Sequence, residues 1–221
     1  SAGIKHALYN VLHDTPSDPR PYGMAGWLDD DQAVLVYDRY DIWQLDPTGQ
    51  QPPMCLTKGE GRAASKRYRY VQLDPLQRSI DPEQLMILSM FDEGSKASGY
   101  TKRTPAPAEE LTQLLALEES VGGLKKAKDS DAVIMTRSTF RRSPDLWYSH
   151  LGMKSISRIS RINPQQMEYR WGTAELVHWD SADGGPLDGI LYKPDGFDPS
   201  KKYPMLVYFY ERSSDKLHNY Y

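Results

Sequence analysis

The chain has 221 residues, with 27 lysines and arginines against 30 aspartates and glutamates, so its formal net charge is −3. This balance gives no reason to expect a nucleic-acid partner, which needs a clustered basic face. The mean hydropathy is −0.66, and no apolar run approaches the ~20 residues of a membrane-spanning helix. The single cysteine, Cys55, excludes a disulfide scaffold and any zinc site built on two or more cysteines.

Aliphatic residues are scarce, since Leu, Ile, Val and Phe together make up just under a fifth of the chain. That share alone would indicate disorder, but the low net charge argues against it. The chain also has 15 tyrosines and 5 tryptophans, which bury large areas and favour strands. The composition therefore predicts an aromatic-rich β protein.

Four short segments near the start of the chain are typical of strands. Residues 33–37 are apolar and β-branched, and residues 41–46 alternate as a half-buried strand does. The turn Pro47-Thr48-Gly49 follows. With residues 22–27 and 54–57, these segments predict a four-stranded meander.

The same pattern returns twice further along the chain. The predicted strands of a middle unit and a third unit are residues 68–73, 84–91 and 99–103, then residues 132–136, 145–149 and 155–162. The third unit repeats the Asp-aliphatic-Trp core of the first, because Asp145-Leu146-Trp147 matches Asp41-Ile42-Trp43. Three meanders at this spacing predict a mainly β fold with about three four-stranded blades of a β-propeller, in which neighbouring blades bury each other's faces.

One stretch is compatible with two structures. Residues 108–118 carry Leu111, Leu114, Leu115 and Leu117, and Gly122-Gly123 follows, which would stop a helix. The alternative is the outer strand of the middle blade. Residues 124–128 are interpreted as a helical turn that leads into the third unit.

The character of the chain changes after Asn163-Pro164. Residues 175–179 and 187–192 are predicted to form a hairpin around a turn at 181–185. Residues 205–210 form a continuous apolar run, typical of a strand that is buried on both faces of an α/β sheet. We therefore expect two domains, residues 1–163 and residues 164–221.

The second part carries motifs of a known family. These are Trp179-Asp180-Ser181, Asp183-Gly184, the run Gly189-Ile190-Leu191-Tyr192-Lys193-Pro194, and the segment from Phe197-Asp198-Pro199 to Tyr203-Pro204. Together they resemble the entry into the hydrolase domain of the prolyl oligopeptidase family of serine peptidases, especially its dipeptidyl-peptidase-IV-like and acylaminoacyl-peptidase-like branches. The resemblance implies that residues 1–163 are the C-terminal blades of a propeller that gates substrate access. Residues 164–221 would then begin a truncated α/β-hydrolase domain.

The family uses a serine on a G-x-S-x-G elbow, with Asp and His following in chain order. The sequence holds no such motif, and its nearest approximation, residues 94–99, has the wrong spacing. The nucleophile, acid and base are therefore expected outside this chain, and these residues alone are expected to be inactive. The resemblance places one catalytic group here: Tyr210, at the end of the apolar strand, as a donor to the oxyanion. Tyr208 is the second choice, and simple packing of a tyrosine at a strand end is the alternative.

The remaining expectations are about ligands and partners. The five histidines show no pair at metal-ligand spacing, so no metal and no cofactor is expected. The pairs Glu109-Glu110 and Glu118-Glu119 are interpreted as solvated charges. The resemblance implies an oligopeptide substrate and an exported or periplasmic bacterial parent, and open blade edges predict dimerisation or other self-association. The competing hypothesis is a non-catalytic propeller module that binds a peptide or protein partner.

Overall fold

A computed structural model describes residues 3–81, 83–103, 111–209 and 213–221. Its main elements are three four-stranded antiparallel sheets, each formed by strands consecutive in the chain. We call them blades 1, 2 and 3. Their strands are β1 Met24–Trp27, β2 Val34–Tyr37, β3 Ile42–Leu45, β4 Met54–Cys55, β5 Lys66–Tyr70, β6 Met86–Asp92, β7 Ser98–Arg103, β8 Thr112–Leu117, β9 Ser120–Lys126, β10 Ala132–Thr139, β11 Arg142–His150 and β12 Ser157–Arg158.

The remaining elements are short. A helix, α1 Glu60–Ala63, connects blades 1 and 2, and a 3-10 helix, Pro164–Glu168, follows blade 3. The strands β13 Thr173–Asp180 and β14 Pro186–Lys193 then pair as a two-stranded hairpin. None of the helices in the described ranges is long and apolar enough to cross a membrane. The predicted partial propeller and the predicted hairpin are thus both confirmed.

Blade 2 is the centre of the packing because both of its faces are covered. Met86, Leu88 and Met90 of β6 belong to a hydrophobic cluster shared with blade 1. Ile87, which lies between them, belongs to a second cluster shared with blade 3. Successive side chains of a strand point to opposite faces, so a strand buried on both sides reads as a continuous apolar run.

The structure decides the two ambiguous segments in favour of strands. Residues 112–117 form β8, the outer strand of blade 2, and not the helix that the sequence allows for residues 108–118. Residues 108–110 lie outside the described ranges. The leucines do not share one helical stripe, because Leu111 packs against the first cluster and Leu114 and Leu115 against the second. The helical turn expected at 124–128 is wrong, since this stretch lies mostly in β9, the first strand of blade 3.

The described part of the apolar run 205–210, residues 205–209, does not form the predicted strand. No residue from Met205 to Phe209 is in a strand, and Leu206 and Phe209 are 95% and 89% exposed. A strand that is buried on both faces lies inside a sheet, where other strands pair with it. No strand of the described ranges pairs with this run, and Tyr210 lies outside those ranges.

Candidate functional site

The β2–β3, β6–β7 and β10–β11 turns gather at one end of the blades, and the β13–β14 hairpin contacts this end. Lys96 of the β6–β7 turn lies 3.1 Å from a carboxylate oxygen of Asp188 in β14. Phe140 of the β10–β11 turn packs against Tyr192 of β14, with ring centroids 5.1 Å apart. We call this the hairpin end of the blades, and it is where charged side chains concentrate.

Glu93, in the β6–β7 turn, is the acceptor that joins blades 1 and 2. Arg39 donates to both of its carboxylate oxygens, at 3.1 and 2.6 Å, and the Tyr40 hydroxyl donates at 2.9 Å. Such a forked pair is among the stronger and more directional contacts available to a carboxylate. Burial, and then the hydrogen bond to Glu93, raise the pKa of Tyr40, so the phenol remains a donor at neutral pH.

Lys96 is the residue that connects blade 2 to the C-terminal part of the chain. Its side chain is only 4% exposed. The ammonium donates to the Glu93 carbonyl at 2.5 Å and to Asp188 at 3.1 Å, and it lies 3.6 Å from Asp215. Asp188 also accepts from His178 at 2.8 Å, and that bond, ahead of Lys96, holds the pKa of Asp188 below its usual value. A buried lysine needs such partners, because an unpaired buried charge is strongly unfavourable.

A cavity of about 380 Å³ opens beside this cluster, between blades 2 and 3. Glu119 on its wall accepts from Arg137 at 2.8 and 3.1 Å and lies 2.6 Å from Arg142. Burial works to raise the pKa of Glu119, but the two arginines outweigh it and hold the pKa below its usual value. Glu119 is therefore a paired, largely buried carboxylate, and its interpretation as a solvated charge is wrong; Glu118 is exposed as predicted.

His218 supplies an unpaired polar atom at the same cavity. Its Nε2 is buried and has no hydrogen-bond partner among the described residues. Burial lowers the pKa of this histidine, so its imidazole is neutral at neutral pH. The wall thus combines charged side chains that are ion-paired or hydrogen-bonded with one free imidazole nitrogen. This composition suits a polar, uncharged group such as a peptide amide.

Of the tyrosines singled out from sequence, Tyr208 does not line this cavity. Tyr208 is 80% exposed, and Tyr210 lies outside the described ranges. Ser98 lies in residues 94–99, the segment that comes nearest to a G-x-S-x-G elbow. Its hydroxyl has a structural role, because it donates to the Glu119 carbonyl at 2.7 Å and accepts from the Val121 N–H at 2.8 Å. In the described ranges, no three His, Cys, Asp or Glu side chains lie together as a metal site would require.

Sequence reasoning missed the charged cluster of the hairpin end. Lys96 and Asp188 are 92 positions apart, and Arg67 and Asp215, which pair at 2.8 Å, are 148 apart. Lys96 stands in a turn, Arg67 and Asp188 stand in edge strands, and Asp215 stands in the 3-10 helix Ser214–Lys216; single charged residues are common at such exposed places. No local pattern distinguishes them from solvated charges.

No protein-family profile and no curated protein sequence matches this chain. Solved structures do match it in fold. The isopeptidase AtxE2 shares 11% identity at a TM-score of 0.54, with 84% of this chain and 27% of the isopeptidase covered. An acylaminoacyl peptidase of Pyrococcus horikoshii shares 13% identity at a TM-score of 0.51, over 86% and 28% of the two chains. A puromycin hydrolase shares 14% at a TM-score of 0.51, over 85% and 29%.

These structures belong to the prolyl oligopeptidase family, so the resemblance indicated by the sequence motifs is confirmed at the level of the fold. The chain spans between a quarter and a third of their length.

Proposed function

We propose that this chain is part of a serine peptidase of the prolyl oligopeptidase family, which hydrolyses peptide bonds of oligopeptides. The observation that carries the proposal is the order of its elements. Three four-stranded blades are followed by a hairpin that contacts the blades through Asp188 and Tyr192. Chains named as an isopeptidase, an acylaminoacyl peptidase and a puromycin hydrolase have the same fold over most of this chain. The motifs between Trp179 and Pro204 support the proposal independently of the fold.

In this proposal the two parts of the chain have different roles. Residues 1–163 are the propeller blades, which restrict access to the catalytic centre, and residues 164–221 begin the hydrolase domain. The cavity between blades 2 and 3 at the hairpin end is consistent with this division, because it faces the side from which the hydrolase would close over the blades. Its polar wall, in which the charged side chains are ion-paired or hydrogen-bonded, suits the backbone of an extended peptide.

Within this chain, Tyr210 is the proposed oxyanion donor, and Tyr208 is the second choice. A donor of this kind contributes roughly 2.7–4 kcal/mol, because it stabilises charge that develops only in the transition state. The serine, aspartate and histidine of the triad lie outside these 221 residues in this proposal, since no G-x-S-x-G elbow is present. The 221-residue chain alone is then inactive.

The test uses the complete product of the gene together with the 221-residue chain. The complete protein is expected to react with a fluorophosphonate probe and to cleave chromogenic peptide substrates, whereas the 221-residue chain does neither. Tyr210→Phe in the complete protein should lower kcat about 100- to 1000-fold with probe labelling retained. Tyr208→Phe is the matched control and should retain most of the activity.

The competing function is a binding module without catalysis. A complete protein that neither labels nor cleaves, and whose sequence continues without a strand and a G-x-S-x-G elbow, would refute the peptidase. Equal loss of activity in both tyrosine variants would leave the peptidase standing but would contradict the assignment of Tyr210.

A further inference from the structure

An arginine-rich cavity of about 730 Å³ lies between the edge of blade 3 and the connection to the hairpin. It is separate from the cavity between blades 2 and 3. Blade 3 contributes its last strand and its β10–β11 turn, and the connection contributes the 3-10 helix Pro164–Glu168. Five arginines line it, namely Arg141, Arg142, Arg158, Arg161 and Arg170. Two carboxylates, Glu168 and Asp195, line it as well.

Two of the arginines are held from behind by carboxylates that do not line the cavity. Arg158 donates to the buried carboxylate of Asp145 and, through Nε, to the Ser160 carbonyl at 2.9 Å. Arg142 lies 2.6 Å from Glu119. Arg158 is therefore fixed by two hydrogen bonds, whereas Arg142 shares the Glu119 carboxylate with Arg137.

The other three arginines have no such partner. The guanidinium groups of Arg141, Arg161 and Arg170 form no ion pair, hydrogen bond or ring contact with any described residue. Neither Glu168 nor Asp195 reaches one of them as an ion pair. The unpaired groups of the cavity are thus three guanidinium groups and two carboxylates, so the lining has an excess of positive charge on one concave surface, which concentrates the positive potential there.

The framework of the cavity is fixed independently of these arginines. Gln166 donates through Nε2 to the Arg141 carbonyl at 2.8 Å and accepts from Ser143 N–H at 3.3 Å, which binds the 3-10 helix to blade 3. The Trp171 indole donates to the Phe140 carbonyl at 2.6 Å. A ligand would meet a preformed backbone, so only the unpaired arginine side chains would have to be ordered on binding.

We propose that this cavity binds an acidic peptide segment through its carboxylates. Arginine pairs with carboxylates in a forked geometry and loses little hydration in doing so. The volume is within the ~300–1,000 Å³ of ordinary ligand sites, which is large for a single small anion. The three unpaired arginines come from the blade 3 turn, from the residues after β12 and from the connection, so a chain of carboxylates reaches them better than one ion does. The site does not depend on peptide hydrolysis.

The test measures binding of a hexaglutamate peptide to the 221-residue chain by calorimetry at about 0.15 M ionic strength, where exposed single charges are largely screened. Inorganic phosphate and hexalysine are the comparison probes. The variant is the double substitution Arg161→Gln with Arg170→Gln. Arg78→Gln is the matched control, because Arg78 is exposed, unpaired and remote from the cavity.

Hexaglutamate should bind the wild-type chain and the Arg78→Gln variant equally, and the double variant at least about ten-fold more weakly. Hexalysine should not bind. The proposal is overturned if hexaglutamate does not bind, or if it binds all three proteins equally. It is also overturned if phosphate binds as tightly as hexaglutamate, since the site would then be one for small anions. Unchanged melting temperatures of the variants without ligand are the check on folding.

Discussion

The hydroxyl of Thr57 donates to the buried carboxylate of Asp41 at 2.6 Å, and Ser160 donates to Asp145 at the same distance in blade 3. In both blades the hydroxyl also accepts the N–H of the residue after the aspartate, Ile42 at 3.2 Å and Leu146 at 2.8 Å. The carboxylate then accepts a backbone N–H from the chain that leaves the blade, from Gly61 at 3.0 Å and from Ile162 at 3.0 Å. The aspartate of the repeated Asp-aliphatic-Trp motif therefore fixes, by hydrogen bonds, the hydroxyl residue that follows the outer strand and the backbone that leads to the next element. We call this set of hydrogen bonds the lock.

The first prediction concerns this lock. Asp145→Ala should lower the free energy of unfolding by about 2–3 kcal/mol, because it leaves the Ile162 N–H, the Ser160 hydroxyl and the Nη2 group of Arg158 without an acceptor. Ser160→Ala should cost about 1 kcal/mol, since only one hydroxyl is lost. Urea unfolding followed by tryptophan fluorescence measures both.

Asp129→Ala is the control, because Asp129 is exposed and makes no contact in the structure. Its effect should stay within about 0.5 kcal/mol. Equal unfolding free energies for the Asp145 and Asp129 variants would contradict the role of the lock.

The second prediction is steric. A Cβ at Gly61 would lie 2.8 Å from the Asp41 carboxylate, 2.8 Å from the Lys66 carbonyl and 2.9 Å from the Tyr40 carbonyl. Gly61→Ala should therefore destabilise the chain by about 1–3 kcal/mol, as overpacking does. A Cβ at Gly152 would meet nothing within 4 Å, so Gly152→Ala should be neutral or slightly stabilising. A Gly61→Ala chain that melts at the temperature of the Gly152→Ala chain would show that the backbone yields there.

The blades could be predicted from the sequence because their signals are local. Residues 33–37 and 41–46 alternate or carry β-branched residues, and they form β2 and β3. The Asp-aliphatic-Trp repeat was also visible, although not what its aspartates do. That role depends on Thr57 and Ser160, which follow the aspartates by 16 and 15 positions and lie opposite them only once the outer strand has paired.

The parts that could not be predicted depend on distant neighbours. Residues 112–117 carry leucines that fit a helix equally well. They form a strand because they pair with β7, with Leu114 and Leu115 packed against one cluster and Ala116 against the other. Residues 205–209 have the composition of a buried strand and no partner to pair with. The charged contacts of Lys96 join segments far apart in the chain and leave no trace in local periodicity.

The third prediction is acid destabilisation through buried carboxylates. Burial works to raise the pKa values of Asp38 and Asp145, but their hydrogen bonds outweigh it and hold both below the ordinary 3.8. A carboxylate whose pKa is lower in the folded state contributes stability above its unfolded pKa and loses it as the pH falls through the folded value. The free energy of unfolding should therefore be level above about pH 5 and fall steadily below pH 4.

The substitution Asp38→Asn separates the contribution of Asp38 to the acid destabilisation from that of the other buried carboxylates. The variant should be less stable at pH 7, because the amide cannot accept from Arg62 as a carboxylate does, and its stability should fall less steeply below pH 4. Chemical unfolding at a series of pH values gives both slopes. Parallel pH profiles for the variant and the wild-type chain would exclude Asp38 as a source of the acid sensitivity.

The last prediction concerns the contact between the blades and the hairpin. Lys96→Met keeps the length of the side chain and its buried stem but removes the ammonium that contacts Asp188 and Asp215. Both acids are more than a third exposed and can return to water, so the cost should be only about 1–2 kcal/mol. The loss should be local: amide hydrogen exchange in β14 should accelerate, while β6 and β10 remain protected.

Lys125→Met, at an exposed lysine of β9, is the control. If β14 exchanges at the wild-type rate in the Lys96 variant, the hairpin is held by Phe140 and Tyr192 instead, because their ring contact is a second link between the hairpin and the blades.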